Sequence, residues 1–303
     1  MQRNEVWGHV FAFITIVIWG TTFVSTKVLL QVFTPLELLL YRFVIAVLIM
    51  IVIYPKQFKV LPWKEELLFC FLGISGISFY FWTENIALQY TQASNVGLIL
   101  SALPIFTVLL TYFSTKDEQV SFRFIVGFVL ATIGIVLIMY NGKILKLNPL
   151  GDFMAVLSAL LFSIYSILVK KVNKAYNPFY VVRKTFFYGV LTTIPILYFT
   201  QHSLRPFPPL TSSVVWNLLF LSILASVAGF IMWNEAVKRI GSVKTTNYVY
   251  FIPLITMIAS SIVLHEEINL LMIIGGLLIF AGVYMNESKM ILHIWKGKLK
   301  EEK

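Results

Sequence analysis

Cysteine is nearly absent: Cys70 is the single thiol in 303 residues, so the chain can form no internal disulfide and no paired-thiolate metal site. Its histidines (His9, His202, His265 and His293) are scattered without ligand spacing, so no metal site is expected. No HExxH, GxSxG or glycine-rich phosphate loop occurs, and neither an enzyme nor a cofactor is expected. Charge is scarce as well, at 13% of residues against roughly 25% in soluble domains. No hydrophilic stretch is long enough to form a separate soluble domain.

What fills the chain is apolar side chain, 58% of it, with a mean hydropathy of +0.84. No soluble core of this size hides that much apolar surface, so the solvent must be a bilayer. A crossing helix needs about 20 mostly apolar residues. Ten such spans are read near residues 8–29, 36–54, 66–88, 93–114, 121–140, 151–170, 179–199, 213–237, 243–263 and 268–287. The expected fold class is therefore an all-α integral membrane protein with ten transmembrane helices. The first span is followed by no small-residue cleavage site and is read as a retained helix.

The net charge of +10 sits between the apolar spans rather than in one patch, which argues for topology signals and against nucleic acid. With the N-terminus in the cytoplasm, 19 of the 24 Lys and Arg fall on the inner side. Both termini are then cytoplasmic. The lysine-rich tail is a solvated end, or one that meets anionic membrane lipids.

The chain is also internally repeated. Ala87 matches Ala236, Pro104 matches Pro253 and Thr107 matches Thr256, each at a shift of 149 (236 − 87). The register continues with Glu118 and Glu267, then Gly127 and Gly276. Earlier in each half, Lys27 matches Lys170 and Pro35 matches Pro178 at a shift of 143 (170 − 27). Five spans per repeat is an odd number, so the second copy enters the membrane from the opposite side. The expected units are a first repeat over 1–142, a second over 143–290 and a basic tail over 291–303. Inverted repeats of this kind belong to transporters, whose solute site lies near midplane at the repeat interface.

These residues carry a resemblance. Trp19-Gly20, Phe23 and Lys27, then Pro35 and Arg42, Ala87, Pro104, Glu118, Gly127 and Gly134 form one ordered set. Gly151-Asp152, Tyr165, Lys170-Lys171, Trp233-Asn234, Ala236, Gly241, Pro253, Glu267, Gly275-Gly276 and Gly282 form its second copy. Over nearly its whole length the chain resembles a ten-helix, EamA-type member of the drug/metabolite transporter superfamily. The resemblance implies a solute carrier of the cytoplasmic membrane, often an exporter of amino acids or related metabolites. It also implies a central cavity lined by spans 1, 3, 4, 6, 8 and 9. Phe162 departs from it, standing where a second-repeat tryptophan is the family's habit. The first span holds no carboxylate, unlike the short multidrug members of the superfamily.

Polar side chains at helical spacing mark the faces turned from lipid. Thr15, Trp19, Thr22 and Thr26 share a face of span 1, and Ser158, Phe162 and Tyr165 the matching face of span 6. Ser78, Trp82 and Asn85 do so in span 3, Ser222, Ser226 and Trp233 in span 8 beside Asn234, and Asn247 and Tyr250 in span 9. The expected solute-binding residues are Trp19, Thr22, Trp82, Asn85, Tyr165, Trp233, Asn234, Asn247 and Tyr250. Trp82 and Trp233 lie nearer helix ends, where anchoring at the membrane interface competes with solute contact.

Glu84 is the candidate for a coupled proton or a solute contact, since intramembrane carboxylates are costly. Glu235 has Lys238 and Arg239 at i+3 and i+4 and reads as an ion pair. Arg42 reads as a gate or an ion-pair member. Pro104 and Pro253 are the expected hinges. Gly127 with Gly134, and Gly275 with Gly282, leave smooth stripes suited to an outer scaffold or a homodimer contact. The expected function is movement of a small metabolite by alternating access. A ligand-binding membrane sensor or scaffold, and a carrier of drugs or nucleotide sugars, are the alternatives.

Overall fold

The computed structural model describes residues 3–55, 60–115, 122–139, 148–201 and 209–264, together with 270, 271, 273–278, 280–282 and 285. Every regular element among them is helical. In chain order these are α1 (Arg3–Leu29), α2 (Pro35–Ile53), α3 (Trp63–Tyr90) and α4, which comprises Ala93–Leu100 and Leu103–Thr115. Next come α5 (Phe122–Met139), α6 (Pro149–Val172), α7 (Pro178–Gln201) and α8 (Ser212–Ile240). Then α9 runs through Ser242–Asn247, a 3-10 turn over Tyr248–Phe251 and Ile252–Leu264, and α10 includes Ile273–Gly282. The result is the ten-helix membrane architecture.

Helix starts follow local chemistry. Pro35, Pro149 and Pro178 open α2, α6 and α7, where a missing N–H costs nothing. Thr34 and Glu37 close a reciprocal capping box on α2, at 3.3 Å and 2.9 Å. Asn148 and Thr211 cap α6 and α8. Gly241, at φ 85°, takes the left-handed turn that lets α8 pass directly into α9.

Among the described residues, six helices (α1, α2, α3, α6, α8 and α9) are long and apolar enough to cross a membrane by length and composition alone. Outward faces of α2, α4, α7 and α9 carry bare apolar side chains such as Val52, Phe113, Phe199 and Ile262, which only lipid satisfies. In α7, Arg183 and Lys184 interrupt the apolar run, yet both are buried. Lys184 pairs with Glu66 of α3 at 2.6 Å, and Tyr188 donates to the same carboxylate. Arg183 donates to the Tyr54 carbonyl at 2.5 Å. Tyr176, in the turn before α7, donates to Glu65, and that acceptor pushes the phenol up to about 12. These cations, read in the sequence as inner topology signals, also tie α7 to α2 and α3.

The packing units are not the two sequence repeats. Helix α1 packs on α8 and α9, with α2 against α8; α6 packs on α3 and α4, with α7 against α3. Each group thus takes helices from both repeats, and α2, which packs on α7 and α3 as well as on α8, lies where the groups join. The repeat extends to backbone irregularities. A π-helical stretch interrupts α3 at Ile74–Ser78 and α8 at Phe220–Ala228, and a shift of 149 carries the first into the second (223 − 74). The break in α4 at Ser101 and Ala102 maps at the same shift onto Tyr250 and Phe251 of the α9 turn. Pro104 and Pro253 are then the second residues of the helices that restart.

Candidate functional site

A cavity with about 310 Å³ of empty volume, counted to its mouth, lies where the two helix groups face each other. One group lines it with Trp19, Thr22 and Phe23 of α1, Arg42 of α2 and Ile252 of α9. The other lines it with Tyr80, Phe81 and Glu84 of α3 and Phe162 of α6.

Trp19 is held from several sides. Its indole N–H donates to the Ala225 carbonyl at 2.9 Å, within the π-helical stretch of α8. It lies 5.0 Å from the Trp233 ring and edge-on to Phe162 at 5.4 Å. A Cβ on Gly229 would stand 2.6 Å from the indole nitrogen, so the glycine makes room for the ring. The repeat mates of these two residues are Phe162 (162 − 19 = 143) and Tyr80 (229 − 80 = 149). Their rings lie 4.8 Å apart. The larger ring meets glycine in one copy, and the smaller ring meets tyrosine in the other. Tyr80 thus fills the space beside Phe162 that its glycine counterpart leaves to the indole in the other copy.

Arg42 and Glu84 are both buried, at 3% exposure each. Arg42 Nε donates to Ser226 Oγ at 2.7 Å, and the guanidinium carbon sits 4.3 Å above the Phe81 ring centre. Tyr80 donates its hydroxyl to Glu84 Oε2. Among the described residues, neither Arg42 nor Glu84 belongs to a direct ion pair, although both face the same cavity. The repeat mates of Arg42 and Glu84 are Thr185 (185 − 42 = 143) and Trp233 (233 − 84 = 149). Both charges therefore belong to the first repeat, and the cavity is electrically lopsided.

Of the residues expected from sequence, Trp19, Thr22 and Glu84 face this cavity. Thr22 gives its hydroxyl proton to the Trp19 carbonyl at 2.7 Å. Trp233 lies behind Trp19 and is fully buried, away from any lipid belt. Tyr165 and Asn234 are one layer further out, joined at 2.8 Å; Asn234 also donates to the Phe230 carbonyl and its own carbonyl accepts from Asn173. Asn85 donates to the Pro35 carbonyl at 2.9 Å, tying α3 to the start of α2. Trp82 is half-buried, edge-on to Phe79. Asn247 and Tyr250 are buried where α9 breaks. Pro104 and Pro253 are buried beside the two breaks. Glu235 pairs with Arg239 at 2.9 Å. Glu118 and Glu267 lie outside the described residues.

The lining differs from the one the resemblance implies. Helix α2 contributes Arg42, and α4 and α8 add no lining residue among those described. Phe23, Tyr80, Phe81 and Ile252 were not among the expected site residues. Two signals pointed to the charged group: an arginine inside an apolar span, and tyrosine and glutamate four residues apart on one face of span 3.

The model of the EamA-like transporter family matches residues 6–140 and again 149–287. An uncharacterized transporter of Archaeoglobus fulgidus is 28% identical over 288 residues, covering 93% of this chain and 97% of that one. The Bacillus subtilis transporter YyaM is 27% identical, covering 93% of each. A probable amino-acid metabolite efflux pump of Escherichia coli is 24% identical, covering 94% and 95%. One crystal structure superposes with a TM-score of 0.71 at 18% identity, over 92% of this chain and 96% of its own, a likeness of fold. With both halves matched, the chain belongs to the EamA-like transporter family and is a multi-pass membrane transporter of small solutes.

Proposed function

We propose that this transporter moves an amino acid or a close relative outward across the cytoplasmic membrane by alternating access. The observation that carries the reading is the position of the cavity, lined from both helix groups at the seam between them. Rocking one group on the other opens that seam to one side at a time. The aromatic walls with a few polar groups suit a small, mostly apolar metabolite. The relative described as an amino-acid metabolite efflux pump supports the solute class.

In this reading Trp19, Thr22 and Glu84 touch the solute. Trp233, Tyr165, Asn234, Asn85, Trp82, Asn247 and Tyr250 shape the surrounding layer, and Pro104 and Pro253 are the hinges. Glu84 carries the coupled proton, with Tyr80 and Arg42 as the titratable and charged groups that act on it. Residues 1–142 and 143–290 are the two repeats, followed by the 291–303 tail, with both termini cytoplasmic. The small-residue faces of α5 and α10 serve as scaffold or homodimer contact.

Counterflow in proteoliposomes tests the reading, using the proteinogenic amino acids singly, with and without an imposed pH gradient. Saturable exchange is expected, lost on Trp19→Ala and uncoupled from the gradient by Glu84→Gln. Flux that never saturates would mean a channel. Saturable binding without flux would favour the sensor alternative.

A further inference from the structure

The cavity holds two opposite charges that feel each other's field but, among the described residues, form no direct ion pair. Isolated ions in an apolar interior cost several kcal/mol each, so such charges are kept where something completes them. Arg42 spends its Nε on Ser226. Among the described residues its two terminal nitrogens have no hydrogen-bond partner in the protein. Glu84 has one oxygen engaged by the Tyr80 hydroxyl, and its other oxygen has none among the described residues. A guanidinium fork matches a carboxylate with two parallel bonds. A free carboxylate oxygen beside a phenol oxygen matches an ammonium group, which has three donors and no acceptor.

We propose that the cavity is a dipolar site for an unblocked zwitterion. The solute carboxylate sits on the terminal nitrogens of Arg42, and its ammonium on Glu84 and the Tyr80 oxygen. Its side chain lies against Trp19 and Phe162. The proposal rests on the carrier reading above and assigns which residue reads which end. Because the repeat mates are Thr185 and Trp233, the mirrored orientation has no charges to hold it, so the solute enters one way round. Arg42 is anchored to the group of α1, α8 and α9 through Ser226, while Glu84 stands on α3 in the other group. A bound zwitterion therefore adds a charged bridge across the seam to the stacking of Arg42 on Phe81. A solute bearing one charge leaves the opposite pole uncompensated.

The test compares each amino acid that exchanges in proteoliposomes with its methyl ester, its N-acetyl derivative and the corresponding decarboxylated amine. In the wild-type protein, blocking or removing either pole is expected to weaken competition by at least about thirtyfold. Glu84→Gln should weaken the amino acid but leave the N-acetyl form unaffected. Arg42→Gln should weaken the amino acid but leave the ester and the amine unaffected. If single-charge analogues compete as well as the zwitterion, or either variant exchanges it normally, the dipolar site is wrong while the carrier stands. If neither amino acids nor analogues exchange, the proposal and the carrier reading both fail. Should a variant not reach the membrane folded, the wild-type analogue series decides alone.

Discussion

The indole N–H of Trp19 donates to the carbonyl of Ala225 at 2.9 Å, joining α1 to the π-helical stretch of α8 beneath the cavity. Packing against Trp233 and Phe162 fixes the ring plane, and the absent side chain of Gly229 gives the nitrogen its room. One wall of the site is thus positioned by a backbone irregularity in a helix that supplies no lining residue among those described.

Gly229→Ala is expected to push the indole off this seat, because the new methyl would lie 2.6 Å from Trp19 Nε1. Overpacking of a filled interior costs about 1–3 kcal/mol. Thermal unfolding of the purified protein should show the loss, and exchange should fall even in the folded fraction. An unchanged Tm together with unchanged flux would show that Trp19 is not held this way.

Lys184→Met removes the buried member of a part-buried pair and leaves Glu66 with Tyr188 and the Leu61 N–H. The expected cost is about 1–2 kcal/mol, because a carboxylate still partly reached by water loses its cation. Lys184→Met combined with Glu66→Gln should recover a large part of it. If the double variant unfolds no later than the single one, charge compensation is not what Lys184 provides.

Pro104→Ala and Pro253→Ala restore an N–H just after the breaks in α4 and α9. If the breaks bend during the cycle, the maximal exchange rate drops about tenfold or more, while the half-saturating concentration changes little. The two variants should behave alike, because the breaks are related by the repeat. A normal rate in both would make the prolines static kinks.

Orientation is checked with single cysteines. In a Cys70→Ser background, cysteines placed at Asn4 and Lys303 should react with a membrane-impermeant reagent only after the cytoplasmic side is opened. Labelling of either in intact cells would reverse the charge-based topology.

Much of this molecule was legible from its residues. Apolar runs of crossing length, prolines at span starts and the shift of 149 led to a ten-helix, two-copy membrane protein. Trp19, Thr22 and Glu84, which line the cavity, stand out in the sequence because a polar or ionisable group inside a lipid-length helix has to face something other than lipid. The same rule does not separate a cavity from a buried hydrogen bond, so Asn85, Tyr165 and Asn234 fitted the pattern equally well. Their polar groups turned out to meet Pro35, one another and Asn173.

The amino-acid sequence by itself determined the solvent, the number of spans and the duplication, because these depend on local hydropathy and on register along one chain. Only the tertiary structure decided which helices share a packing group, and that α2 brings Arg42 into the same cavity as Glu84. Those two residues are 42 positions apart (84 − 42) on separate helices, and the spacing of residues along one helix carries no information about the rotation of its neighbour. Crossing geometry is set by which side chains interdigitate between helices, and here a glycine, a π-helical stretch and a tyrosine beside Phe162 set it.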